Sequence, residues 1–202
     1  MEPQNARSRR TGAALLQAAR ELIEADGFEG LTMQAVAERA GVSRRGVYLH
    51  FSSRTDLVTA LYRDLGRTEE VAASLQAVWD SPDGRAALTE WAAHIARSHP
   101  RILAIMAAVD HARRSDADAA ELWETAQSRW LMGCTRLMRW LADEDSLAEC
   151  WTVETAADMM WALMSPDLLT RLLSGRGWSR QEVADHLGTL FRATFLRQEQ
   201  TP

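Results

Sequence analysis

The stretch Thr32-Met-Gln-Ala-Val-Ala-Glu-Arg-Ala-Gly41-Val-Ser43-Arg-Arg-Gly-Val-Tyr48-Leu-His-Phe51 reads as two short helices meeting at a tight turn. Thr32 supplies a hydroxyl N-cap, and Met33, Val36, Ala37 and Ala40 follow at helical spacing. Gly41 stands just past that helix, where a left-handed residue ends it at low cost. Ser43 caps a second helix carrying Arg44, Arg45, Gly46, Val47, Tyr48, Leu49 and His50. Ala37 and Gly41 are small enough for the helices to cross closely. Val42, Val47 and Phe51 face inward, which leaves two Arg, a Tyr and a His on the outer face. This is the layout of a DNA-reading helix-turn-helix. An ordinary helical hairpin with a basic, solvated face has the same spacing, so the flanking residues must decide.

Working outward, the block from Gly27 to Leu57 strongly resembles the N-terminal domain of the tetracycline-repressor (TetR) family. The run Tyr48-x-His50-Phe51 followed by Ser53-Arg54-x-Asp56-Leu57 carries the resemblance, which is sharp over residues 10–62 and architectural beyond. It implies an all-α chain, with a three-helix HTH DNA-binding domain at 1–54 followed by a helical effector-binding and dimerisation domain at 55–202. The helix starts at Thr32 and Ser43 offer backbone N–H groups and hydroxyls to phosphates. Arg44 and Arg45 lie on the first turn of the second helix, where a guanidinium reaches guanine O6 and N7 together. Gly46 costs a helix about 1 kcal/mol against Ala, which suggests close backbone approach to DNA or a relaxed helix; the family more often has a hydroxyl residue near here. The resemblance implies phosphate contacts for Tyr48 and His50. It implies another for Arg54, where the family usually carries Lys. Leu49 touches a thymine methyl or simply packs.

Composition constrains the rest. The 202 residues, 47% hydrophobic, suffice for one large domain or two small ones. Net charge is −5, but residues 1–65 hold nine Arg against eight acids and the remainder fourteen Arg against twenty. A DNA-facing surface therefore belongs to the N-terminal part. Every basic residue is Arg, the side chain suited to bidentate recognition. Cys134 and Cys150 are too few for a disulfide framework and read as reduced core thiols. Arg7, Arg9 and Arg10 precede an apolar run that Gln17, Arg20 and Glu21 interrupt, so the start is not a signal peptide. No uncharged run exceeds nine residues, which excludes a membrane span and points to the cytoplasm.

Along the chain, residues 1–8 read as a disordered polar tail whose arginines touch a DNA backbone or minor groove, or are simply solvated. A first helix runs from Thr11 to Asp26 and ends at Gly27, with Phe28 and Leu31 plugging the base of the small domain. Ser53 or Thr55 caps a long helix to about Trp79, a lever between the domains through its contact with residues 101–113. Ser81-Pro82-Asp83-Gly84 breaks it. Further helices are predicted at 84–98, ended by Pro100, and at 101–113, 117–142 and 152–164. After Ser165-Pro166 comes a short helix, and a final one opens at Trp178-Ser179.

The resemblance implies an effector pocket in the large domain. Candidate walls are Trp91, His94, Met106, His111, Trp123, Gln127, Trp130, Asp158 and Trp161. Seven of the eight Trp lie between 79 and 161, which suits an apolar or aromatic small molecule, although Trp and Met at helical spacing also fill cores. Asp110, His111 and Asp158 have no metal-ligand spacing, and no metal or cofactor is expected. The resemblance also implies that the last two long helices pair with their copies in a second subunit. The candidate interface residues are Met160, Met164, Val183, Leu187, Leu190, Phe191 and Thr194. The expected function is that of a ligand-responsive repressor, a homodimer on a palindromic double-stranded operator, released by its effector. A ligand-independent architectural DNA-binding protein is the alternative. A helical-bundle enzyme is less favoured, because the sequence offers no triad-like arrangement, no Gly-rich phosphate loop and no His/carboxylate pair at i,i+4 on a plausible active face.

Overall fold

The computed structural model describes residues 2–65 and 69–198. Its helices are α1 (Glu2–Gly30), α2 (Met33–Ala40), α3 (Arg44–Tyr48), α4 (Arg54–Leu65), α5 (Glu69–Trp79), α6 (Gly84–Ala112), α7 (Ala117–Asp143), α8 (Val153–Leu163), α9 (Pro166–Thr170) and α10 (Arg180–Phe195). A π-helical turn, Arg171–Gly175, follows α9. No strand occurs among the described residues, and one isolated antiparallel bridge joins Leu147 to Leu196. The chain is all-α, as its Ala- and Leu-rich periodicity predicts.

Two compact units emerge. The first combines Met1–Arg67 with Arg101–Glu124, and the second combines Thr68–Pro100 with Thr125–Pro202. They do not follow the boundary drawn at 54/55, and the reason is core volume. In the first unit Leu57, Val58, Leu61 and Leu65 of α4 share one apolar core with Leu15, Leu22 and Ile23 of α1 and with Val36 and Val47. Ile105, Ala108 and Val109 of α6 and Ala119 and Leu122 of α7 complete it. A small three-helix domain buries too little surface alone, so two later helices lend it theirs. Leu31 is fully buried at its base, as expected; the side chain of Phe28 lies outside the described residues.

Several local expectations change. Residues 2–8 are helical, continuing α1 toward the N-terminus rather than forming a loose tail. Gly27 interrupts that helix with φ 67° and ψ −163°, at the position where the sequence ends it. The helix foreseen from Ser53 to Trp79 appears as α4 and α5, with residues 66–68 outside the described residues. Ser53 is the residue that caps α4: its hydroxyl accepts from the Asp56 N–H at 3.0 Å, while Asp56 accepts from the Ser52 N–H at 2.9 Å. Helices 84–98 and 101–113 are one helix running through Pro100. An internal proline costs about 3 kcal/mol or more. Burial on both sides offsets that cost, with Ala92, Ile95 and Ala96 in the second unit and Leu103, Ile105 and Met106 in the first.

In the second unit Trp91 of α6 is the main seat of α7. A Cβ added at Gly133 would stand 2.6 Å from the Trp91 ring, so only glycine lets the indole lie against the helix backbone. The Trp91 Nε1–H points to Met164 Sδ at 3.2 Å, and Cys134 Sγ lies 3.6 Å from the same sulfur. Burial pushes the Cys134 thiol up to about 12, so it stays protonated and inert. Capping boxes start α8, at Thr152 and Thr155, and α10, at Ser179 and Glu182.

Gly133→Ala would normally strengthen a helix interior, since alanine is favoured there by about 1 kcal/mol. Here it should destabilise by about 1–3 kcal/mol, through the overpacking of Trp91. Urea unfolding followed by far-ultraviolet circular dichroism reads the sign directly.

Candidate nucleic-acid interface and ligand groove

The outer face of α3 is built from its two ends. At the entrance, the Gly41 backbone sits in the left-handed region (φ 67°, ψ 32°), and its N–H bonds back to the Ala37 and Glu38 carbonyls. Thr32 Oγ1 accepts from Ala35 N–H at 3.0 Å, and Ser43 Oγ accepts from Gly46 N–H at 3.1 Å. Both caps are the hydroxyls the sequence nominated, and both residues are exposed. The helix is a single turn and a half, Arg44–Tyr48, shorter than the run to His50 suggested; Leu49 closes it and His50 lies in the turn beyond. Val47 is its one fully buried residue.

Arg44, Arg45, Tyr48 and Leu49 project outward, Leu49 with 79% of its surface exposed. That exposure rules out packing as the role of Leu49 within its own unit. Arg44 stacks over the Tyr48 ring at 5.7 Å, a cation–π contact across one helical turn that holds both side chains to one face. His50 is half-buried beside α1, where a Cβ at Gly12 would lie 3.7 Å from its Nδ1. Gly46 has a local reason that spacing alone did not reveal. A Cβ there would sit 3.3 Å from Ser43 Oγ, pressing on the cap itself. Arg54 is also less free than a solvated arginine, because its Nη1 reaches the Leu31 carbonyl at 3.4 Å. Thr32, Ser43, Arg44, Arg45, Gly46, Tyr48, His50 and Arg54 thus all belong to the first unit.

The residues nominated for an effector are divided between the two units. Met106, His111 and Trp123 lie in the first unit, with Met106 fully buried and Trp123 covered by Arg113 at 4.8 Å. Trp91, His94, Gln127, Trp130, Asp158 and Trp161 lie in the second. There Trp91 is core, Asp158 is exposed, and Trp161 donates Nε1–H to Gln127 Oε1 at 3.2 Å near the surface. His94 is part of a polar cluster: its Nδ1 is 2.9 Å from Ser74 Oγ, which also accepts from Arg97 Nε at 3.0 Å. Desolvation, helped by the Arg97 charge, lowers the His94 pKa to about 4. Elsewhere in this unit a groove of about 830 Å³ runs along α7 beside Trp79, and none of the nominated residues lines it. Sequence reasoning missed it because its lining is an exposed helix face, which amphipathic patterning assigns to solvent.

Residues 15–61 match the model of bacterial regulatory proteins of the tetR family. The headpiece carries that family's signature. Over 74 residues the chain is 39% identical to the HTH-type transcriptional regulator YfiR of Bacillus subtilis (strain 168), a match covering 34% of this chain and 36% of that protein. The chain thus spans about a third of the length of that curated relative. Whole-chain likeness is one of fold. A transcriptional regulator from Saccharomonospora viridis in complex with choline superimposes with TM-score 0.76 at 16% identity, covering 94% of this chain and all of that one. The transcriptional regulator FadR from Bacillus subtilis in complex with stearoyl-CoA gives 0.71 at 14% identity, covering 90% and 97%. These relatives are regulators of transcription and not enzymes.

In the second unit, the residues nominated for a subunit interface divide by burial. Met160, Met164, Val183, Leu187 and Phe191 are buried in their own unit, so no second chain can reach them without opening that core. Phe191 and Phe195 stack at 6.1 Å, and Trp151 closes over Phe195 while donating Nε1–H to the Thr194 carbonyl at 2.8 Å. Thr194 is half-buried, and Leu190 is 42% exposed. The large apolar side chains left open on these helices are Met159 and Trp161 of α8 and Leu190 of α10.

His94 gives a pH signature. Its folded pKa lies below the unfolded value, so the unfolded chain binds the extra proton and stability falls as pH drops from about 6.5 toward 4. The loss should reach at most about 3 kcal/mol, with His94→Asn flattening that part of the profile. Urea midpoints at pH 7 and 4.5 for both proteins measure the difference.

Proposed function

We propose that the protein is a cytoplasmic transcriptional repressor that binds a palindromic DNA operator as a homodimer and is released by a small-molecule effector with an apolar or aromatic body. The observation that carries the reading is the outer face of α3, where Arg44, Arg45 and Tyr48 stand exposed on a helix whose inward residue, Val47, is locked into the TetR headpiece. On this reading Arg44 and Arg45 contact base edges in the major groove, while Thr32, Ser43, Tyr48 and His50 hold phosphates. Gly46 lets the capped backbone approach the duplex, and Arg54 contributes charge near the start of α4. Among the described residues no helix is long and apolar enough to cross a membrane, which accords with action on DNA in the cytoplasm.

One headpiece covers too little DNA for tight specific binding, and a two-fold pair matches two half-sites. Exposed Leu190 on α10 and Met159 on α8 offer apolar side chains for that pairing, in place of the buried seam of α10. Effector release is a linkage effect: a ligand that favours a dimer state whose headpieces no longer match successive major grooves weakens operator binding by the same coupling free energy. Support comes from fold neighbours crystallised with choline and with stearoyl-CoA, which place small molecules in chains of this architecture.

Selection of bound genomic fragments followed by mobility shift tests the reading. With about five phosphates neutralised per subunit, the slope of log K against log salt should be near −9. Arg45→Ala should change the preferred bases, whereas a chain with no DNA affinity at low salt would sink the proposal. A second outcome concerns assembly. Leu190→Glu should halve the mass seen by sedimentation and abolish operator binding while leaving the helical content intact, because Leu190 is exposed in the single chain.

A further inference from the structure

We propose that the groove along α7 is a binding site for a small organic carboxylate with an apolar, flat or extended body. The inference rests on the ligand-responsive reading above only for its consequence on DNA, not for binding itself. The groove encloses about 830 Å³, within the range that holds drug-sized ligands. Its apolar walls are Trp79 of α5 and Leu131, Met132 and Trp140 of α7, and Met132 is 69% exposed, an unusual degree for a methionine that packs against nothing else. These positions recur at helical spacing with Arg136 and Arg139, so one face of α7 carries both the apolar surface and the charge.

The polar lining selects the ligand's head. Arg136 lies over the Trp79 ring at 3.9 Å, which fixes the guanidinium plane while leaving its N–H edge open. Arg139 follows one turn later, and side chains three apart on a helix are neighbours. Neither arginine forms an ion pair with a carboxylate among the described residues. Arg139 is close enough to Glu154 to help hold that carboxyl below its usual range, so the positive charge of the two arginines is only partly offset, and a bound anion offsets it further. Among the other lining groups that bear protons, Thr135 and Trp140 are already committed, while Ser128 adds one neutral hydroxyl. Thr135 Oγ1 donates to the Leu131 carbonyl at 2.9 Å, and Trp140 Nε1–H donates to Glu144 at 2.7 Å. The groove therefore offers guanidinium donors in its middle and one acceptor, Asp143, at its end. That asymmetry favours a ligand whose polar group accepts hydrogen bonds and carries negative charge, and disfavours a cation in the same place.

The test uses the full chain and two probes of one shape, 2-naphthoate and the uncharged 2-naphthalenemethanol, with binding read by isothermal titration calorimetry. Naphthoate should bind at sub-millimolar concentration and at least tenfold more tightly than the alcohol. Arg139→Gln and Arg136→Gln should each weaken naphthoate by tenfold or more and change the alcohol by less than twofold. The remote substitution Arg171→Gln should change neither. No naphthoate binding to the wild-type chain, equal affinity for the two probes, or naphthoate affinity untouched by both groove substitutions overturns the proposal. Circular dichroism melting of each variant confirms that the fold is retained, since both arginines are exposed. The operator assay is run separately. Naphthoate that binds through the two arginines but leaves the DNA complex intact upholds the groove and tells against an effector role for it.

Discussion

A five-residue helix has no stability of its own, and the exposed face of α3, on which the proposed DNA contact rests, depends on making one stand still. Nucleation costs more than one turn of hydrogen bonds returns, so α3 is held from outside. Three constraints do this. Gly41 turns the chain in the left-handed region, Ser43 satisfies the Gly46 N–H, and Val47 with Phe51 anchors the inner side in the core of the first unit. Remove any one and the remaining two must hold a segment whose backbone prefers water. The exposed arginines inherit their backbone placement from these residues, and Arg44 adds only its contact with the Tyr48 ring.

That dependence explains why the first unit recruits residues 101–124. The inner side of α3 offers only Val47, and α2 adds Met33, Val36 and Ala37. Such a small apolar surface needs a larger partner, which α4 provides with four buried apolar residues and which α6 and α7 extend. A polar clamp reinforces the arrangement: the Thr55 hydroxyl donates to Asp116, whose other oxygen caps α7 through the Ala119 N–H at 3.2 Å. Thr55 and Asp116 are sixty-one residues apart, so no reading of local periodicity could pair them.

What the sequence made legible follows the same division between local and non-local causes. The caps at Thr32 and Ser43, the turn at Gly41, the break at Gly27 and the opening of the last helix at Ser179 are decided within a few residues, and the structure has each where the spacing put it. Pro100 misled because its penalty is local while the burial that outweighs it is not. The seam on α10 misled for another reason. Val183, Leu187 and Phe191 at helical spacing show that one face of the helix is buried, but the pattern carries no record of whether its own unit or a second chain does the burying. Trp91 reads as a pocket wall until Gly133 is seen to be the floor it rests on.

Charge resolves the remaining puzzle of how a chain of net charge −5 can face a polyanion. Much of its arginine is neutralised in place. Arg39 pairs with Glu21 at 3.2 Å, Arg113 with Asp110 at 2.6 Å and Arg171 with Asp167 at 2.9 Å, and Arg97 binds Glu90. On α3 the pattern differs: among the described residues Arg44 leans on an aromatic ring, and no carboxylate pairs with Arg44 or Arg45. The field that matters at a duplex is the one within a Debye length, about 8 Å at physiological salt. Over that range the guanidiniums of α3 count for more than acids farther off, so the net charge of the chain does not by itself set the sign of the field there.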